Sequence, residues 1–239
     1  MTWEEFENEI ARRGGVDFWW RDDDAGPVLP ALEPLLKLSQ DHKKPVALAV
    51  IPQAAEPALF GLLHDKVSVL QHGTDHRNRA APGEKKTEYP GAEPIEAALA
   101  RVAEGFERLR TLAGPRFFPV LAPPWNRVRE DLLGKLPALG IRGVSAYGVR
   151  ATARPAPGLM QVNTHVDVVA WRAGRRFIGE DRALELATKR LGEQPLGWLT
   201  HHALHDADTW RFFERLFQVR GIRWLSAHEV FSYTGLGHG

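Results

Sequence analysis

The chain has 239 residues, 44% of them hydrophobic and 26% charged, and its 31 Lys and Arg nearly balance its 30 Asp and Glu, for a formal net charge of +1 with neutral histidines. That balance argues against a broad nucleic-acid or membrane footprint and for a small-molecule partner. Cysteine is absent, which excludes disulfides, a thiolate nucleophile and thiolate-bound zinc, so any metal must rest on His, Asp or Glu.

Thr2 followed by Glu5 forms a capping box that predicts a helix over about residues 3 to 13, stopped by Gly14 and Gly15. This acidic, amphipathic start lacks the basic and apolar regions of a secretory signal, and no apolar run approaches the ~20 residues needed to cross a bilayer. A cytoplasmic location is therefore expected. A strand is predicted at 16 to 21, then a helix at 29 to 43 with Leu32, Leu35, Leu36 and Leu38 at helical spacing. Val46 to Ile51 reads as a fully buried strand, which completes a βαβ unit. The alternation continues with helices near 55 to 64, 94 to 112, 130 to 138, 180 to 191 and 207 to 219. Strands are expected at 67 to 71, 117 to 121, 143 to 146, 159 to 163, 196 to 200 and 222 to 225. About seven such units predict an α/β chain folded as one domain over residues 1 to 239, a distorted (β/α)7-type barrel of parallel strands. The irregular stretches at 78 to 93 and 147 to 158 are long enough to read as functional loops.

In a parallel barrel the chemistry sits at the C-terminal strand ends, where the loops converge. The first strand ends in Arg21-Asp22-Asp23-Asp24, the third in His72-Gly-Thr-Asp-His76, the fourth in Ala122-Pro123-Pro124-Trp125-Asn126-Arg127, and a later one in Thr200-His201-His202. Two imidazoles four apart on one side of a helical turn can share a cation, and a carboxylate from another strand completes a two-His, one-Asp set. Three consecutive carboxylates repel one another unless a cation, an arginine or water compensates, and Arg21 is the local candidate.

In order and spacing these motifs resemble the polysaccharide deacetylases of the NodB or carbohydrate-esterase-4 type, over about residues 16 to 205. The resemblance implies that Asp23 is the general base, that Asp24, His72 and His76 hold a divalent metal, and that His201 is the general acid, with His202 and His205 as competitors. Asp22 could take either carboxylate role under a shifted phase. The metal implied is zinc, with cobalt, nickel or iron as alternatives. Substrate contacts are expected from Arg21, Asp22, Pro124, Trp125, Asn126, Arg127, Asp167, Trp171 and His202, the Asp167 and Trp171 pair matching the family's fourth motif. One departure stands out: Ala122 occupies the place of the arginine that orients the base in the family, and Arg21 or Arg127 could supply the missing guanidinium.

The implied reaction is hydrolysis of an acetyl or other acyl group from an N-acetylated sugar or glycoconjugate, with the metal polarising the acyl oxygen, Asp23 taking a proton from water and His201 protonating the leaving amine. The alternatives are another C–N amide hydrolase of the same fold acting on a non-sugar substrate, or a non-catalytic metal or ligand binder. An N-acetylated sugar nucleotide, lipid-linked sugar or small glycoconjugate is favoured over cell-wall polymer on the expected location alone.

Overall fold

The computed structural model describes residues 1–192 and 195–232; residues 193–194 and 233–239 of the expected domain lie outside it. Helix α1 (Trp3–Arg12) begins as the capping box predicts, with the Thr2 hydroxyl accepting from Glu5 N–H and the Glu5 carboxylate accepting from Thr2 N–H. Such a cap stabilises a helix start by about 1 kcal/mol. Its apolar stripe, Trp3, Phe6 and Ile10, is buried.

Strand β1 (Val16–Ala25) runs four residues beyond the predicted end and so carries all three aspartates. The chain then alternates through α2 (Leu32–Asp41), β2 (Val46–Val50), α3 (Pro57–Leu62), β3 (Val67–His72), α4 (Ile95–Ala113), β4 (Phe117–Ala122), α5 (Glu130–Leu133), β5 (Gly143–Val144) and β6 (Met160–Gln161). Three two-residue strands follow, β7 (Val166–Asp167), β8 (Val169–Ala170) and β9 (Arg176–Phe177), then α6 (Glu180–Thr188), β10 (Leu196–Thr200), α7 (Ala207–Leu216), β11 (Ile222–Leu225) and α8 (Ala227–Ser232). The predicted helix at 130 to 138 breaks into α5 and a separate 3-10 turn at Leu136–Leu139, with Pro137 inside that turn.

The main sheet is parallel throughout, in the order β6-β5-β4-β3-β2-β1-β10-β7. Its two ends, β6 and β7, do not pair among the described residues, so the sheet curls into a distorted barrel open on one side. β10 takes one edge of β1 at Phe18 to Asp22, which leaves β11 the other edge at Val16 to Trp19, ahead of where β2 begins pairing at Arg21.

The pleat of β1 sorts its residues into two environments. Phe18 and Trp20 face the helices, where Trp20 stacks on Phe213 at 5.6 Å and Phe18 meets Trp224 edge-on at 5.5 Å. Trp19 faces the barrel interior with Ala47, Ala49, Leu70 and Val120, and α8 enters that interior to set Phe231 edge-on to it at 6.2 Å. Trp19 fits only because position 197 is glycine: a Cβ there would lie 2.4 Å from the indole nitrogen. By the same alternation Arg21 and Asp23 point inward and Asp22 points to the helices.

His165, at the open side, accepts from Gly197 N–H through Nδ1 at 3.0 Å. Burial, then Arg190 and Arg150, pull its pKa down to about 4, and burial does the same to His205 against the attraction of Asp22. A histidine whose folded pKa lies below the ordinary ~6.5 stabilises the fold fully above that value, and the contribution is lost as pH falls toward 4, by roughly 3 kcal/mol each at the limit. In an NMR titration both rings are expected to stay neutral down to about pH 4; titration near 6.5 would contradict the packing around them.

Candidate metal centre and its surroundings

The strand β1 ladder to β2 slips between Asp22 and Ala25, and Asp24 adopts a left-handed φ of 67°. This irregularity turns the Asp24 carboxylate from the alternation of the strand toward the end of β3. There Asp24 Oδ1 lies 3.1 Å from His72 Nε2 and 3.3 Å from His76 Nε2, and one donor atom from each residue falls within 4.8 Å of the others. Burial opposes ionisation of Asp24, but its hydrogen bonds with His72 and His76 outweigh it and hold the carboxyl well below the usual range.

The donor set fits a divalent cation on two counts. His72 Nδ1 stands 2.9 Å from the Ala122 carbonyl, which can only accept, so Nδ1 carries a proton, and in the neutral ring the Nε2 lone pair faces a carboxylate oxygen. Two lone pairs facing each other at that distance call for a cation or a proton between them. Donor atoms on a tetrahedral zinc are also about 3.3 Å apart, given bonds of roughly 2.0–2.2 Å.

The His-x-x-x-His pair does not lie on a helical turn, contrary to expectation. His72 ends β3, Gly73 has a φ of 61°, and His76 is reached through bends with its own φ at 55°. What holds this loop is Glu88, a buried carboxylate absent from the sequence-level reading, which accepts from Thr74 N–H at 2.9 Å and His76 N–H at 3.2 Å. Burial and the nearby Asp75 charge push the Glu88 carboxyl above its usual range, against the pull of those amides. A Cβ on Gly73 would sit 2.2 Å from Glu88 Oε2 and 2.6 Å from Pro124 Cγ. Gly73→Ala is therefore expected to lower zinc affinity at least about 10-fold by displacing His76, as loss of a supporting contact does at metal sites; a titration showing wild-type affinity would contradict this coupling.

Asp23 meets Arg21 in a pair buried on both sides. Arg21 Nη2 donates to Asp23 Oδ2 at 2.9 Å, while Nε approaches Oδ1 at 2.8 Å off the N–H direction. The guanidinium then spans the barrel interior: Nη2 also donates to Asn126 Oδ1 at 2.7 Å, and Nη1 donates to the Ser145 carbonyl at 2.7 Å and hydroxyl at 2.6 Å. Arg127, the other candidate for the absent arginine, is exposed and donates instead to the Lys86 carbonyl at 2.9 Å. Ala122 itself packs inward beside Trp19 and Ala49.

Asp22 and His202, expected among the substrate contacts, are buried against one another. His202 Nδ1 and Asp22 Oδ1 are 2.6 Å apart, and Thr200 Oγ1 donates to Asp22 Oδ2 at 2.6 Å. Burial disfavours the Asp22 carboxylate, yet His202 beside it holds its pKa down. Facing the helices, the pair ties β1 to the end of β10 and offers no surface to a ligand.

The remaining candidates ring Asp24, His72 and His76. The Trp125 ring lies 4.5 Å from that of His76, in a turn where Trp125 and Asn126 take φ values of 54° and 57° and Pro124 is buried beneath. On the far side the Trp171 ring meets His201 edge-on at 4.8 Å, and Trp171 Nε1 donates to Asp167 Oδ2 at 2.7 Å. Burial raises the Asp167 carboxyl above its usual range, against the pull of His201 and Trp171. His201 Nδ1 is buried with no hydrogen-bond partner among the described residues.

No family model matches the sequence, and no curated protein is similar to it by sequence. Solved structures do match its fold. A putative polysaccharide deacetylase from Mycobacterium smegmatis superposes with a TM-score of 0.64 at 14% identity, over 92% of this chain and 90% of that one. A family 4 carbohydrate esterase from Streptomyces lividans, solved with acetate, gives 0.58 at 17% identity, over 87% and 90%. A peptidoglycan N-acetylglucosamine deacetylase, solved with an N-hydroxybenzamide compound, gives 0.61 at 14%, over 91% and 89%. The chain thus has the fold of the NodB-like polysaccharide deacetylases that its motifs resemble.

Proposed function

We propose that this protein is a metal-dependent deacetylase that hydrolyses the N-acyl group of an amino sugar or its conjugate. The observation that carries the reading is the convergence of Asp24, His72 and His76 beside an inward-facing Asp23 whose charge is matched by Arg21. A pure metal binder needs no second carboxylate held against a guanidinium. Asp24, His72 and His76 would hold the cation, with zinc favoured by the mixed imidazole and carboxylate donors. Such a cation supplies Lewis acidity, polarising an acyl oxygen and making a water easier to deprotonate.

The protein side chains supply the proton traffic. Asp23 takes a proton from the attacking water, and Arg21 keeps its carboxylate oriented by holding Oδ2 while Oδ1 receives no hydrogen bond. Pro123 and Pro124 have no N–H, so Trp125 offers the first backbone donor after β4 to an oxygen gaining negative charge. His201, across the site beside Asp167 and Trp171, gives a proton to the departing nitrogen, which is too basic to leave as an anion. The C–N bond breaks, and the products are a carboxylate and a free amine.

The test is acetate release from N-acetylglucosamine and its β-1,4 oligomers by zinc-reconstituted protein. Activity that disappears on chelation and returns with zinc is expected. Activity indifferent to chelation would remove the metal from the account, and turnover of simple non-sugar amides alone would move the reaction to another substrate class.

A further inference from the structure

Among the described residues, six large apolar side chains are left exposed, and three of them, Tyr147 at 43%, Val149 at 58% and Trp171 at 44%, lie on the two loops that flank Asp167. Trp171 is tied to the Asp167 carboxylate, and Tyr147 forms an isolated parallel bridge with Thr164, three residues before Asp167. Exposed apolar surface gathered at one mouth marks a place where a ligand sits, and aromatic faces suit the apolar face of a sugar ring.

The hairpin formed by β8 and β9 extends this platform with Arg172, Arg175 and Arg176. All three are exposed, no acid lies between them, and no carboxylate comes within ion-pair reach of any of them among the described residues. Asp167 and Asp206 are engaged elsewhere: Asp167 accepts from Trp171 and Val169 N–H, and Asp206 accepts from Thr209 and from Phe177 N–H. On other surfaces of the same protein Arg12, Arg110, Arg182, Arg211 and Arg223 each sit on a carboxylate. The tip is also fixed in shape, since Arg175 N–H donates to the Ala170 carbonyl at 3.1 Å and Arg175 takes a left-handed φ of 54°. Three exposed guanidinium groups without a carboxylate partner, on a formed hairpin that begins beside an aromatic ring touching His201, are donors whose planar forks suit phosphate oxygens.

We propose that the β8–β9 hairpin is a phosphate subsite, and that the acyl sugar handled here carries a phosphate, with the ring on Trp171 and Tyr147 and the phosphate on Arg172, Arg175 and Arg176. The acyl chemistry rests on the deacetylase reading above; the phosphate contact does not.

The test compares acetate release from N-acetylglucosamine 1-phosphate, UDP-N-acetylglucosamine and methyl N-acetylglucosaminide, in wild type and in the triple variant Arg172→Gln, Arg175→Gln, Arg176→Gln. The ratio of kcat/KM for phosphorylated to neutral sugar is expected to fall at least about 10-fold in the variant, and in wild type to fall as salt is raised, as it must when exposed charges drive binding. Preference for the monophosphate or for the diphosphate identifies which source the hairpin serves. An unchanged ratio would overturn the subsite. If no sugar is deacetylated, calorimetric titration with N-acetylglucosamine 1-phosphate separates the two claims: binding lost in the variant upholds the hairpin while the deacetylase reading fails, and absence of binding to wild type sinks the hairpin itself.

Discussion

Arg21→Met is expected to lower kcat by about 10²–10⁴ and to destabilise the fold by about 3–5 kcal/mol, the two effects having one origin. Removing one partner of a buried ion pair leaves the other charge without compensation, which costs far more than the pair contributes when intact. Here the orphan is Asp23, whose hydrogen bond from Arg21 at 2.9 Å is the contact that orients it, and Asn126 and Ser145 lose the same guanidinium. The size of the rate effect follows from what a positioned general base is worth. Adding Asp23→Asn to Arg21→Met is expected to recover most of the stability and none of the activity, because it removes the stranded charge and the base together. Ala122 faces the same interior, so Ala122→Arg in the Arg21→Met background is expected to restore part of kcat by returning a guanidinium from β4. Chemical denaturation and steady-state acetate release check all three variants. Wild-type rate in Arg21→Met would show that Asp23 does not depend on it.

Asp23→Asn alone is expected to cut kcat by about 10³ while leaving metal content and KM close to wild type. The substitution keeps the shape of the side chain and the acceptor for Arg21 but removes the proton acceptor. Asp24→Asn is expected to do the opposite, losing metal first and activity as a consequence, since Asp24 alone of the three aspartates shares the donor set with His72 and His76. Elemental analysis beside kinetics distinguishes them. If Asp23→Asn sheds the metal and Asp24→Asn keeps it, the two roles are exchanged.

Much of the fold was legible in the sequence because parallel strands buried on both faces read as short apolar runs. Val46 to Val50 is such a run, and all five of its residues are buried. The two-residue strands β7, β8 and β9 were not legible, since no periodicity exists over two residues, nor was the short α8 that enters the barrel. For the site, spacing brought forward Asp24, His72 and His76, which do meet, but misjudged how they meet. The His72 and His76 spacing suggests a helical turn, whereas glycine at 73 and the Glu88 clamp produce an irregular loop with a similar reach. Glu88 lies 12 residues beyond His76, and a lone glutamate in a polar loop carries no local signal; only burial reveals it. The aspartate triplet was not readable by alternation, because the strand was expected to end at Arg21; it continues through the triplet and turns Asp22 toward Thr200 and His202. Asp24 escapes that alternation through a left-handed φ that a non-glycine sequence does not announce. The choice between Arg21 and Arg127 is likewise a matter of which face a side chain takes, and an inward position on a central strand decided it.

The most direct measurement is the zinc content of the purified, reconstituted protein by elemental mass spectrometry, beside the His72→Ala, His76→Ala double variant. Close to one zinc per chain is expected in the wild type and almost none in the variant, with both folded by circular dichroism. A wild type that holds no zinc, cobalt, nickel or iron after reconstitution, or a variant that keeps its metal, would contradict the assignment of Asp24, His72 and His76 as the metal centre.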